Sequence, residues 1–354
     1  MKINALNKSL YLILALSLFI DLYFNIDSAG SGGFISDFQS TWSIVENPLE
    51  YKAVHDMKFP LHYYIAAIVY NLVNDQEILR FIYCLIALPI PYLFYICLKI
   101  KYPKINFNNL FLFSLIILLL PSVRSAAVWP NTQITAIIFF LISIFFFLKW
   151  EIKKEFQVIN KEILLTIFFM SLTVYTRQLY AMIFAYYMLI FFLNLSRPTF
   201  FKIVLLVFFF ALPGIIFVMF FPRILQATFE FKFYNSLLVN SSIISFYLIP
   251  FFSILFFFEK RLISLNNYKL ILVFITIFVL LCALFFDYNY LVGGGYFVKL
   301  SKIIFDNLYL FYLSSIIGFF LMYILSKENN LNLLLNLIVI FSISAFIIVM
   351  KYFE

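Results

Sequence analysis

Charge is scarce in this chain of 354 residues: Lys, Arg, Asp and Glu together make up 12%, while 65% of the residues are hydrophobic and 22% aromatic. So little charge excludes an ordinary soluble domain, whose apolar share is nearer half, and a mean hydropathy of +1.02 agrees. Glycine is also rare, with eight residues against fifty Phe, and the alternating ten-residue segments of an outer-membrane barrel are missing. What remains is an all-α, polytopic integral membrane protein. Cys84, Cys97 and Cys282 are odd in number, widely spaced and set in apolar sequence, so they suggest packing rather than a disulfide framework. No Gly-rich nucleotide loop occurs in the basic segments. The net charge of +8 is scattered between hydrophobic runs and forms no stripe, which points to orientation in a lipid bilayer and away from nucleic acid.

The opening MKINALNKSLYLILALSLFIDLYF begins like a signal peptide, but no small-residue cleavage site follows, so a retained first helix is expected. Asp21 must then lie at the interface or face the bundle, because an unpaired carboxylate at mid-bilayer costs about 2.5–3.5 kcal/mol. Uncharged runs predict spans near 10–26, 81–98, 105–123, 132–148, 203–221, 241–258, 270–286, 307–326 and 331–350. The region around Arg177 reads as a hairpin of two more, 158–176 and 178–196, making about 11 transmembrane helices.

The segment 59–74 is different. Its sixteen uncharged residues lie between Lys58 and Asp75, and at about 1.5 Å each they reach roughly 24 Å against a hydrocarbon core of roughly 30 Å. Charge gives a second test. If this segment does not cross, Lys2, Lys8, Lys99, Lys101, Lys104, Lys149, Lys153, Lys154, Lys161, Arg197, Lys202, Lys260, Arg261, Lys269 and Lys327 are cytoplasmic, which is the majority of the 25 basic residues. If it crosses, that majority is lost, so the positive-inside rule favours an interfacial helix. An exoplasmic loop 27–80 then carries this helix, with the amino end inside and the carboxyl end outside. Cytoplasmic loops such as KIKYPK and KWEIKKEFQVINK are plainly basic. The exoplasmic segments DFQSTW, PSVRSAAVWPN, TRQLY and DYNYLVGGGYFVKLSK instead mix charge, aromatics and Gly, as segments that form a site do.

Four of these features together resemble the GT-C membrane glycosyltransferases that use a polyprenyl-phosphate sugar. Asp37 in GFISDFQSTW follows the first span, and His55-Asp56-Met57-Lys58-Phe59-Pro60-Leu61 is similar to the family's D-x-P-P-L loop end, with a single Pro here. LRFIYCLIALPIPYLFYICLKI resembles a second span that starts with an Arg, here Arg80. SVRSAAVWPNTQITAIIFF resembles the short loop after the third span, with Asn131 where many members have Asp, and VYTRQLYAMIF resembles the Arg-Gln motif of glucosyltransferases fed by dolichyl-phosphate glucose. The likeness runs over about residues 9–200. It implies a catalytic module at 1–200 and a variable transmembrane half at 201–354.

The resemblance implies that Asp37 is the general base, taking a proton from the acceptor hydroxyl while the lipid phosphate departs with inversion. His55, Asp56, His62 and Asn131 would orient acceptor or donor. The two histidines lie seven apart, and with Asp37 they leave three uses open: a divalent cation site, orientation through a hydrogen bond, or no role beyond the interface. Arg80, Arg124, Arg177, Lys299 and Lys302 are the candidate phosphate-binding cations, and Arg177 in an apolar hairpin needs an anionic partner, either a phosphate or an acid such as Asp37 or Asp287. Trp42, Trp129, Tyr288, Tyr290 and Tyr296 are candidates for stacking on sugar, or members of an interfacial aromatic belt.

The partners implied are a polyprenyl-phosphate sugar donor, a glycan, lipid or protein acceptor, and the bilayer. The setting is polysaccharide biosynthesis in the cell envelope, at the outer face of a bacterial inner membrane. A surface-polysaccharide polymerase would share the compartment but would be expected to have a larger late loop than 287–306. A lipid-linked-saccharide flippase or other transporter would have charges within its spans and inverted repeats. The topology predicts that a cysteine placed at 101 or 153 reacts with an impermeant thiol reagent only from the cytoplasmic side, and one at 299 only from outside. Labelling of intact and opened cells checks this.

Overall fold

The structure, a computed structural model, describes residues 4–28, 33–48, 59–153, 159–220, 233–259, 268–287 and 296–328. His55, Asp56, Tyr288, Tyr290, the Gly triplet before Tyr296 and the expected span 331–350 lie outside them. Every regular element among the described residues is helical, in two compact units, Met1–Gln226 and Ala227–Glu354.

Unit 1 contains α1 (Ala5–Tyr23), α2 (Gly33–Glu46), α3 (Leu61–Val73), α4 (Gln76–Ala87), α5 (Ile90–Lys101), α6 (Phe107–Ser114), α7 (Pro121–Val128), α8 (Thr132–Lys153), α9 (Lys161–Thr176), α10 (Ala181–Asn194) and α11 (Arg197–Phe220). Short polar side chains start several of them. Asn4 accepts from the Asn7 amide, Asp75 from Ile78 at 2.9 Å and Asn160 from Ile163 at 3.1 Å, as N-caps do. Helices long and apolar enough to cross a membrane are α1, the continuous rod Gln76–Lys101, α8 and α11. A fifth arises if α6, with its 3₁₀ extension Leu115–Leu119, is counted with α7.

That last pair departs from the uninterrupted span expected at 105–123, because the chain bends by 61° at Leu120. Pro121 forces the preceding residue out of helical conformation, and Leu120 is extended at φ −66°, ψ 118°. Pro121 then opens α7 at a position where its missing N–H leaves no bond unmade. The loop 27–80 also differs, since it contains α2 as well as α3. In α2 the buried Phe34, Phe38, Thr41, Ile44 and Val45 recur at helical spacing along one face. Helix α3 has thirteen residues, about 20 Å, and stops where Asn74 turns left-handed at φ 51°.

Leu18, Phe38, Tyr63, Leu79, Tyr83 and Trp129 belong to one buried core; Phe147, Trp150, Ile163, Tyr187 and Phe191 belong to a second, between α8, α9 and α10. Helix α11 leaves Phe201, Phe208, Phe209, Met219 and Phe220 exposed, a surface compatible with hydrocarbon and not with water.

Within α11, Pro213 removes a ladder donor. One residue on, the Tyr175 hydroxyl enters the ladder, donating to the Phe210 carbonyl and accepting from the Gly214 amide at 3.2 Å. A Cβ at Gly214 would come within 2.7 Å of the Tyr175 ring, so only Gly admits this insertion. The same ring meets Phe59 edge-on at 5.6 Å, and Phe59 meets Phe217 at 5.5 Å. Tyr175 thereby ties α9, α11 and the entry to α3 together.

Unit 2 contains α12 (Phe233–Glu259), α13 (Tyr268–Ala283), α14 (Tyr296–Phe305) and α15 (Tyr309–Glu328). Here α12 and α15 meet through Ser241, Ser242, Ser245, Ser314 and Ser315, all buried, and a Cβ on Gly318 would strike the Ser241 carbonyl. Ser315 donates to the Leu238 carbonyl across this contact at 2.9 Å. Small residues let two helix backbones approach closely, as they do where helices pack in a membrane.

Tyr175→Phe removes the hydroxyl that bridges the Phe210 carbonyl and the Gly214 amide and is expected to lower stability by about 1 kcal/mol. Gly214→Ala is expected to lower it as well. Unfolding of the purified protein in detergent measures both.

Candidate functional site

Asp37 sits on α2 one turn before Thr41, and its backbone carbonyl accepts from Thr41 Oγ1 at 2.7 Å and Ser40 Oγ at 3.0 Å. The half-buried carboxylate is met from the far side by Asn131, whose Nδ2 donates to Asp37 Oδ2 at 3.2 Å. Asn131 is buried between α7 and α8. Its Oδ1 is taken by the Thr132 hydroxyl at 3.0 Å, which leaves its amide nitrogen to face the acid. Thr132 also opens the twenty-two-residue α8, whose positive end favours an anion nearby. A second carboxylate at 131 would set like charges against each other; the amide supplies a donor instead.

Arg80, which is 2% exposed, packs against the residues just before Asn131. Its Nε donates to the Val128 carbonyl at 2.9 Å, and its Nη1 donates to both oxygens of Glu77 at 2.8 and 3.0 Å. Its guanidinium carbon stands 3.8 Å over the Trp129 ring, a desolvated cation–π contact. Arg80 Nη2 and Trp129 Nε1 are buried donors with no hydrogen-bond partner among the described residues. Because the cation covers a face of Trp129, the indole edge is the part left for an acceptor. Phe38 lies between Trp129 at 5.8 Å and Trp42 at 5.4 Å, while Trp42 meets Tyr70 edge-on at 5.0 Å and donates to Glu46 at 2.7 Å.

His62 lies buried on α3, where its Nδ1 shares a 2.9 Å hydrogen bond with Thr135 Oγ1, on the first turn of α8. Its ring meets Tyr83 edge-on at 5.7 Å. Thus α8 presents Thr132 to Asn131 and Thr135 to His62, and the start of one helix organises both.

Arg124 is fully engaged by the chain. It bonds Asp21 Oδ2 through Nη2 at 2.6 Å and Nε at 2.8 Å, and it reaches Ser17 Oγ at 3.0 Å, the Ser17 carbonyl at 2.9 Å and the Leu118 carbonyl at 3.3 Å. Ser28 also donates to Asp21 at 2.8 Å, and Ser125 donates to Asp27 at 2.7 Å. Here Arg124 joins α7 to α1. Arg177 is half-buried at the extended turn after α9, with its amide bonded to the Thr173 carbonyl at 2.8 Å, and it makes no ion pair among the described residues. Lys299 and Lys302 are half-buried on α14 of unit 2, which begins at Tyr296.

The sequence reading missed the partners. Glu77 stands three residues before Arg80, a spacing that puts both on one helix face, and Asp21 required a cation that only the fold identifies as Arg124. Among the described residues no three His, Cys, Asp or Glu side chains gather as a metal group. No family model, curated protein or solved structure matches the chain.

Breaking one side of a largely desolvated ion pair strands the other charge, so Arg124→Gln and Asp21→Asn are each expected to lower stability, by about 1–3 kcal/mol and so by less than for a fully buried pair. The double variant should lose clearly less than the sum of the two. A double-mutant cycle on unfolding free energies tests the coupling.

Proposed function

We propose that this chain is a GT-C-type glycosyltransferase that moves one sugar from a polyprenyl-phosphate carrier onto a lipid-linked glycan, lipid or protein. In this reading it has eleven spans in a bacterial inner membrane, α3 lies along the outer interface, and the site faces the periplasm. The observation that carries the reading is the hydrogen bond of Asn131 to Asp37 at 3.2 Å across ninety-four positions. Both residues come from segments chosen for the resemblance, and their meeting supports a shared site.

Asp37 accepts the proton of the acceptor hydroxyl as that oxygen forms its bond to the anomeric carbon. The carbon's bond to the phosphate oxygen breaks at the same time, its electron pair leaves with the lipid phosphate, and the anomeric centre inverts. Asn131 holds the carboxylate in place, and the buried Arg80 with Trp129 Nε1 offers donors to the departing phosphate. Arg177, at the turn after α9, is the further cation of the same unit assigned to this role. His62, through Thr135, holds α3 against α8 beneath the acceptor. A groove of about 470 Å³ between α1 and α4, lined by Phe19, Leu22, Ile78 and Phe81 with Glu77 among its residues, suits the first isoprene units of the carrier.

The test is transfer from a polyprenyl-phosphate sugar by purified protein. Asp37→Asn should lower the rate about 10²–10⁴-fold with an unchanged unfolding midpoint, and Asn131→Ala should lower it less. Transfer that survives Asp37→Asn contradicts the assignment, and translocation without transfer contradicts the enzyme.

A further inference from the structure

The opposite end of the same bundle holds a second arrangement that sugar transfer does not use. Helix α8 begins beside Asn131 and runs twenty-two residues to Lys153, about 33 Å along its axis, close to the thickness of a bilayer core of roughly 30 Å. There it ends near α5, which terminates in Lys99 and Lys101, and the start of α9. Between them is a groove of about 430 Å³ lined by Ile100, Lys149, Ile152, Lys153, Lys161 and Glu162.

The charges in this groove are unequal. Lys153 is matched by the buried Glu162 at 2.8 Å, and nearby Lys101 is matched by Glu151 at 3.4 Å. Lys149, with its ammonium 4.2 Å over the Phe145 ring, and the exposed Lys161 make no ion pair among the described residues. Among the described residues, two cations therefore remain. Lys161 is also the first residue of α9, whose positive end adds to its field. Ile152, 61% exposed, gives the same groove an apolar wall. A soluble anion would use the lysines and leave that wall bare, whereas an amphiphile with an anionic head uses both.

We infer that the groove formed by Lys149, Lys161, Ile100 and Ile152 binds the phosphate headgroup and upper acyl chain of an anionic phospholipid at the membrane face opposite Asp37. The site rests on the apolar helices crossing a bilayer and is independent of the sugar-transfer reading. Bound lipid would clamp the ends of α5 and α8 against the start of α9.

The full chain, purified and delipidated in a neutral detergent, is titrated with phosphatidylglycerol, phosphatidylcholine or glycerol 3-phosphate while its thermal unfolding is followed. Phosphatidylglycerol should raise the midpoint by several degrees, and the other two should not. The double variant Lys149→Gln/Lys161→Gln should lose more than half of that shift, while Lys202→Gln, on α11, should keep it. In the unaltered protein the shift should shrink as salt rises from about 0.05 to 0.5 M, a readout that holds even if the double variant folds poorly. An equal shift with phosphatidylcholine, a full shift in the double variant, no dependence on salt, or a full shift with glycerol 3-phosphate alone would each overturn the site.

Discussion

A charge within an apolar bundle must find its opposite, and in this molecule that requirement decides where the helices go. Arg124 lies on the short helix that follows the bend at Leu120, and five hydrogen-bonding contacts anchor it to Asp21, Ser17 and Leu118. That attachment holds α7 against α1 and so determines where the turn Trp129-Pro130-Asn131 emerges. Arg80 meets the same turn from α4, through the Val128 carbonyl and the face of Trp129. With both arginines in place, Asn131 is positioned to meet Asp37. The buried Arg80 and the half-buried Arg124 thus set the geometry around one half-buried acid, and the loss of Arg124 would strand the buried Asp21.

The two arginines differ in how completely the chain satisfies them. Arg124 is saturated by its own chain. Among the described residues, Arg80 keeps one buried nitrogen without a partner, and so does the indole N–H of Trp129. Unserved donors in a buried place are costly unless something accepts from them, and under the proposed function that acceptor is the departing phosphate. In the proposed reaction the Asp37 carboxylate and these donors take opposite tasks, one receiving a proton and the other stabilising negative charge.

The all-helical class and four or five of the eleven expected spans were legible in the sequence, because long uncharged runs follow coarse rules. Runs without charge marked the rods Ala5–Tyr23, Gln76–Lys101, Thr132–Lys153 and Arg197–Phe220, and the thirteen-residue α3 was recognisable by its shortness. Other features depended on local chemistry or on long-range pairing. Pro121 was visible, yet the bend it produces could not be placed from hydropathy, which does not register backbone direction. Helix α2 was hidden in a polar-looking loop because its apolar face is only five residues. The insertion of Tyr175 beside Gly214 joins residues thirty-nine apart, and no local pattern signals it. Asp37 and Asn131 were each selected as candidates, but only folding brings them to a hydrogen bond.

The central claim is that the loop after the first span and the turn before α8 meet at the outer face of the membrane. In a chain whose Cys84, Cys97 and Cys282 are replaced by Ala, cysteines at 37 and 131 can be treated in intact cells with a short, impermeant bis-thiosulfonate. The account predicts an intramolecular cross-link formed from outside. No cross-link, or one that forms only after the cytoplasmic side is opened to the reagent, would contradict it.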